Sequence, residues 1–405
     1  MQHKRTGDLK LMQELNRSII LNMIREYGPI SRSDIAKRKQ ISPTTVASAV
    51  KELIQAGLVC EDGAGASNGG RKPIMLRISP ENRFLIGVSV TNYTITVAEI
   101  NLEANIRKTH TVDVAADPAH GEQIVQLLLD SIAAFIAQIP YMDRCIGISI
   151  SVPGIVDNYR GIVYYNSKLN WHNVALKDII ENSFQLKTWI ENDMNAMVLA
   201  EKKFGQYSKF RNLLYVHAGG GIGAGIVVND EILRGARGGA GEFGHTSVDR
   251  NGIRCECGNV GCLETCVNWD AVRAKLQAAA ASDRSSALWS LTNGKLADIR
   301  PSDFSAALNV GDPAAMTVMN ETLEYLGAGI VNMVNLFNPD VVILGGKLLY
   351  GNDVMIDSIK SYVRERALQF SIQSMEVHPS SLGDNAELIG AASILLQDVF
   401  RFSLT

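Results

Sequence analysis

The densest chemistry in this sequence is the run Gly241-Glu-Phe-Gly-His245, followed by Cys255-Glu-Cys257-Gly-Asn-Val-Gly-Cys262-Leu-Glu264. One imidazole and three thiols, His245, Cys255, Cys257 and Cys262, supply the four ligands of a tetrahedral Cys3His zinc site. No position is left open for water, so such a site is structural rather than hydrolytic. Cys266 lies just past the set and is not one of its ligands, while Cys60 and Cys145 read as small core residues. A second group, Glu191-Asn192-Asp193-Met194-Asn195, follows the expected strand Leu186 to Ile190. An amide beside a carboxylate at a strand end suits a polyhydroxylated ligand, and equally suits an ordinary turn. The third group is the glycine run from Ala218 to Gly225. It permits close backbone approach, either to a phosphate or to a neighbouring strand, and it lacks the lysine of a Walker loop.

The elements ahead of these groups form a head. Leu11, Leu15, Ile19, Ile20, Met23 and Ile24 recur at helical spacing until Gly28-Pro29. Ser31 with Asp34 three residues later has the form of a capping box, and Ser42-Pro43 is an N-cap followed by proline at the first helical position. The helix from Pro43 to about Gln55 buries Val46, Val50, Leu53 and Ile54 and exposes Thr44, Thr45, Ser48 and Lys51. A hairpin rich in glycine, serine and asparagine, ending Gly69-Gly70-Arg71-Lys72-Pro73, completes a winged helix-turn-helix. Small hydroxyl side chains can approach base edges, and an Arg-Lys wing tip suits phosphate or the minor groove. The expected DNA-facing set is Arg32, Ser42, Thr44, Thr45, Ser48, Lys51, Arg71 and Lys72.

Charge is divided the same way. The 405 residues carry a net charge of −3, but residues 1–80 hold 13 basic against 7 acidic residues, leaving the remainder at −9. A +6 head that meets phosphate on a body that repels it fits a DNA-binding protein better than a uniformly basic coat. After Pro80, strand-like runs at Phe84 to Val90, Thr94 to Ile100, Ile146 to Val152, Leu213 to His217, Gly225 to Val228 and Val341 to Leu344 alternate with helices such as Glu122 to Gln138. This is an α/β body, and the openings near 84 and 213 suggest two similar halves. The basic start has no apolar stretch of a signal peptide and no run of eighteen apolar residues occurs, so the expected location is the cytoplasm, on the nucleoid when bound to DNA.

Taken together, Glu242 through His245, the Cys255 to Glu264 run and Asn192-Asp193, in that order, resemble the ROK family of sugar kinases and sugar-responsive repressors over essentially the whole chain. The winged helix resembles the repressor branch, xylose-type and glucose or N-acetylglucosamine-type regulators. The resemblance implies an actin-like, two-lobed sugar-kinase-type body, divided here into a head at 1–80, a first lobe at 81–190 and a second, zinc-bearing lobe at 191–405. It implies a monosaccharide in the cleft, xylose or glucose-like, held by Gly154, Asn192, Asp193, Glu242, His245 and Glu264, with Pro153 and the stretch Tyr165 to Trp171 lining it. His245 would bind Zn2+ through one ring nitrogen and face the sugar with the other. The resemblance also implies a homodimer or dimer of dimers on a two-fold operator, with no membrane segment. For some relatives it implies a phosphotransferase-system protein as partner.

In the family's kinases the residue matching Asp193 is the catalytic base. Their Asp-x-Gly-Gly-Thr phosphate motif is replaced here by Ser89-Val-Thr-Asn-Tyr93, which implies that phosphoryl transfer is lost and Asp193 is a vestigial base. The rival expectation is an ATP-dependent sugar kinase with an appended head.

Overall fold

A computed structural model describes residues 9–65, 72–114 and 121–400. In the head, helices α1 (Leu9–Tyr27), α2 (Arg32–Lys39) and α3 (Pro43–Gln55) pack beside a sheet ordered β1-β3-β2, formed by β1 (Ile30–Ser31), β2 (Val59–Ala64) and β3 (Ile74–Ile78). The caps form as the residues dictate. Ser31 Oγ accepts from the Asp34 amide at 3.1 Å, and Ser42 Oγ accepts from the Thr45 amide at 3.1 Å with Pro43 at the first helical position. Val46, Val50 and Leu53 are buried as expected, joined by Ala49, while Ile54 sits at the margin. Ser42→Ala is expected to cost about 1 kcal/mol, seen as roughly fivefold faster amide exchange in α3. Unchanged exchange would show that the cap does not hold the helix start.

The body contains two five-stranded sheets of one topology. The first, ordered β11-β7-β4-β5-β6, uses β4 (Phe84–Val90), β5 (Thr94–Asn101), β6 (Ile106–Asp113), β7 (Cys145–Val152) and β11 (Thr188–Asn192). Between them lie α4 (Gly121–Ile136), the small sheet β8 (Ile155–Asp157), β9 (Ile162–Asn166) and β10 (Trp171–Val174), and α5 (Leu176–Phe184). After α6 (Asp193–Lys203) the second sheet, ordered β14-β13-β12-β15-β16, uses β12 (Leu213–Ala218), β13 (Ile222–Val228), β14 (Glu231–Ile232), β15 (Val341–Gly345) and β16 (Glu376–Pro379). Its helices are α7 (Leu263–Val267), α8 (Trp269–Ser282), α9 (Leu288–Leu291), α10 (Pro301–Asn309), α11 (Pro313–Phe337), α12 (Asp353–Arg366) and α13 (Gln369–Ile372), before the last helix, α14 (Ala386–Phe400). In each sheet the opening strand pairs antiparallel with the next and parallel with a later one, so the two halves expected from the sequence are present. None of the described helices is long and apolar enough to cross a membrane.

Two helices cross between the halves. Helix α6 follows the first sheet and packs on the second, where Gly225 leaves room for the Met194 carbonyl; a Cβ there would stand 2.2 Å from it. Helix α14 follows the second sheet and packs on the first, its Leu388, Ala392, Leu395 and Leu396 sharing a core with Leu85, Ala98 and Ile100. A division at residue 190 therefore does not capture the last helix, whose apolar face is matched to the first sheet rather than to its own half. The same core continues into the head through Ile20, Leu21, Ile24, Val50 and Leu53.

Candidate functional site

The second half presents the metal group. A short 3-10 turn, Phe243–His245, delivers the imidazole, and the loop carrying the three cysteines is tied to it by bridges between Ser247 and Cys262 and between Arg254 and Val260. Gly258 and Gly261 turn this loop at positive φ, and a Cβ on Gly261 would overlap the Asp249 carbonyl. The ligand atoms of His245, Cys255, Cys257 and Cys262 all lie within 4.8 Å of one another. His245 Nδ1 is 3.6 Å from Cys255 Sγ, and the sulfurs of Cys257 and Cys262 are 3.6 Å apart. Tetrahedral zinc with ordinary Zn–S and Zn–N lengths requires ligand separations of about 3.5–3.8 Å, so the set fits a metal ion. Cys266 stands outside it, half-buried.

The imidazole's other nitrogen, Nε2, points to Glu242, 3.9 Å from its Oε2. Burial raises the Glu242 carboxyl above its ordinary pKa, opposed by His245 and reinforced by Glu264. Glu264 Oε2 accepts from the Ile222 amide at 2.9 Å where β13 begins. From the first half, Asn192 ends β11 and caps α6, its Oδ1 accepting from the Asn195 amide and its Nδ2 donating to the Gly154 carbonyl and to Asp193 Oδ1. Asp193 opens α6 and also accepts from the Met194 amide. Burial first, then Glu387 and Glu242, push the Asp193 carboxyl up to about 7. The two halves thus bring Asn192, Asp193, Glu242, His245 and Glu264 into one electrostatic neighbourhood.

The structure revises several sequence expectations. Gly154, at φ +104°, must be glycine for a reason internal to the fold, since a Cβ would stand 2.3 Å from the Tyr165 carbonyl. Of the Tyr165 to Trp171 stretch, Leu169 and Trp171 are fully buried in the first half's core, with Trp171 Nε1 bonded to the Gly121 carbonyl, leaving Tyr165, Ser167 and Asn170 exposed. The glycine run at 218–225 forms the tight turn between antiparallel β12 and β13, and the close approach of Met194 accounts for Gly223 and Gly225. Four further groups carry no local motif. Ser89 Oγ donates to Glu387 Oε2 at 2.9 Å, Arg234 pairs with buried Glu191 at 2.7 Å, and Ser151 Oγ and His217 Nδ1 are buried without a hydrogen-bond partner among the described residues.

On the head, Thr44, Ser48 and Lys51 are exposed on one face of α3. Thr45 is half-buried and its hydroxyl is shared with that of Ser42 at 2.8 Å, so both serve the cap first. Arg32 pairs with Glu61 on β2 at 2.9 Å. Lys72 is exposed, and Arg71 lies outside the described residues.

These features define a winged helix-turn-helix joined to a sugar-kinase-type α/β body. The "Winged helix-turn-helix DNA-binding" family matches residues 16–59, and the ROK family matches residues 85–398. The chain belongs to the ROK family. It is 31% identical to the xylose repressor of Caldicellulosiruptor bescii over 98% of this chain and 99% of that one. It is 30% identical to the DNA-binding transcriptional dual regulator NagC of Escherichia coli, over 96% of this chain and 94% of that one. Among solved structures, a ROK family transcriptional regulator described as a homolog of the E. coli MLC protein superposes with a TM-score of 0.83 at 30% identity, covering 96% of this chain and 97% of that one. A ROK family glucokinase from Streptomyces griseus, in complex with glucose and AMPPNP, superposes with a TM-score of 0.67 at 28% identity over 76% of this chain and 98% of its own.

Proposed function

We propose that this protein is a transcriptional repressor that binds operator DNA as a dimer and senses a monosaccharide, xylose or glucose-like, in the cleft between its halves. Relatives named as repressors match it over 96–98% of its length, head included, which supports the reading. Asn192, Asp193, Glu242, His245 and Glu264 would hold the sugar hydroxyls, with the Gly154 carbonyl orienting Asn192. Zinc held by His245, Cys255, Cys257 and Cys262 would fix the imidazole's tautomer and aim Nε2 at Glu242 and the ligand. Thr44 and Ser48 would approach base edges, with Thr45 and Ser42 at the helix start and Arg32, Lys51, Arg71 and Lys72 near phosphate. Such a protein works in the cytoplasm.

The observation that carries the non-enzymatic reading lies at the first loop of the body. Ser89 is committed to Glu387, and the ring of Tyr93 lies against Gly220 at the β12–β13 turn, 2.9 Å from where a Cβ would stand. A hydroxyl, an engaged carboxylate and a bulky ring replace the metal-holding acid and open glycines that phosphoryl transfer needs. The likeness to a glucokinase is the specific reason to keep kinase activity as the second reading. An ATP-coupled phosphorylation assay with glucose and xylose is expected to give no turnover above background. Appreciable turnover would overturn the repressor reading in favour of the kinase.

A further inference from the structure

Helix α14 touches both ends of the machinery. At its first turn Glu387 accepts the Ser89 hydroxyl of the first sheet, and it lies close enough to Asp193 to be the largest charge acting on that carboxyl. Along its middle, Ser149 Oγ donates to the Ala391 carbonyl, and Gly390 lies so near Ala196 of α6 that a Cβ would stand 2.9 Å from that backbone. At its far end the Phe400 carbonyl accepts from Asn22 Nδ2 at 2.6 Å and from Ser18 Oγ at 3.1 Å, both on head helix α1. The Arg25 guanidinium covers the Phe400 ring at 4.8 Å, and Trp189 Nε1 donates to Asp398 at 3.1 Å. One helix of 15 residues, about 22 Å long, thus joins the surroundings of Asp193 to the head.

We propose that α14 is the strut through which sugar occupancy reaches the DNA-binding head, with Glu387 as its positioning residue in the cleft and Asn22 and Ser18 as its attachment to the head. The proposal rests on the sugar-sensing reading and assigns its route of regulation. A sugar hydroxyl donating to Asp193 favours the ionised carboxylate and sets its charge against that of Glu387, each residue in the first turn of its crossing helix. The contact between α6 and α14 is closest where small residues meet, Ala196 against Gly390, the kind of contact along which packed helices slide by shear. A shift of α14 that separates the charges moves Phe400, and with it α1. Because Glu387 makes no hydrogen bond to any of the proposed sugar ligands among the described contacts, its charge can be removed without removing the binding set.

The test uses the full chain and Glu387→Gln, whose amide oxygen still accepts from Ser89. Operator affinity is measured with and without saturating D-xylose and D-glucose, and sugar affinity by calorimetry. The strut predicts that Glu387→Gln keeps sugar affinity within about fivefold and sugar-free operator affinity within about threefold, while the ratio of operator affinities with and without sugar falls to within about twofold of one. Asn22→Ala is expected to lower the same ratio from the other end. A wild-type ratio in Glu387→Gln overturns the proposal. A sugar-free arm separates this from failure of the sugar-sensing reading: Glu387→Gln should change amide exchange in α1 by at least about threefold. Unchanged exchange overturns the strut even if neither sugar binds, and altered exchange without sugar binding supports it while contradicting the sugar-sensing reading.

Discussion

Asp193→Ala is expected to lower monosaccharide affinity by about 100-fold while leaving sugar-free operator binding intact. Two hydrogen bonds from sugar hydroxyls to a carboxylate, each contributing about 1.5 kcal/mol, correspond to that factor. The head is untouched, since among the described residues Asp193 bonds within its own helix start, to Asn192 and the Met194 amide. The same residue gives a pH signature. Burial and Glu387 raise its pKa to about 7 in the folded chain, from an ordinary 3.8. The folded state therefore binds the proton more tightly than the unfolded chain, and stability contributed by the neutral form falls as pH rises from about 4 to 7. Sugar binding runs the other way, because the hydroxyl donor requires the carboxylate. Affinity is expected to rise about tenfold between pH 6 and pH 8 in the wild type. In Asp193→Asn the rise disappears. Calorimetric titration across that window checks both, and an unchanged affinity in Asp193→Ala would remove this carboxylate from the sugar site.

Cys257→Ser should release the metal and weaken the sugar site at a distance. Cys257 is the exposed member of the cluster, so serine leaves no buried cavity, and its consequences report the ligand rather than packing. Losing one thiolate leaves two buried sulfurs and an imidazole that no longer close a tetrahedron. The loop from Asp249 to Gly261, turned by glycines at positive φ and held by two short bridges, loses its fourth anchor. Expected results are zinc content near zero by elemental analysis and a melting temperature lower by about 5–10 °C, as for a loss of about 2–3 kcal/mol. Sugar affinity should fall at least about tenfold because the His245 ring is no longer fixed. Sugar-free operator affinity should change little. Wild-type zinc content, melting temperature and sugar affinity together would remove the metal from this account.

What the sequence made legible followed from locality. The cluster of His245, Cys255, Cys257 and Cys262 falls in one short window, and the caps at Ser31 and Ser42 are set by residues three apart, so type and spacing were enough to mark both. The duplicated sheets were visible as two similar runs of strands. Other features were hidden because their partners are distant in the chain. Nothing near Ser89 announces Glu387, which arrives on the last helix, and nothing in α14 marks it as crossing to the first sheet until its apolar face is seen against Leu85 and Ile100. Strand β6, with its polar run Ile106–Asp113, lies at a sheet edge where half its side chains meet water, which blurs the hydrophobic signal that marks central strands. Gly154 was legible as special, but its reason, the Tyr165 carbonyl, depends on a hairpin register that composition does not encode. Thr45 shows the same limit on α3: helical phase turns it outward, while its hydroxyl is drawn into the Ser42 cap.

The central claim is that one chain couples a sugar in the body to DNA on the head. Its most direct test is a titration of monosaccharides, spanning common aldoses and amino sugars, into the full chain bound to a palindromic operator recovered by selection from random duplexes. The account predicts that at least one sugar changes operator affinity about tenfold or more at saturation, and that operator DNA changes the affinity for that sugar by the same factor. Operator binding curves that superimpose for every sugar, on a chain that binds its operator tightly, would contradict it.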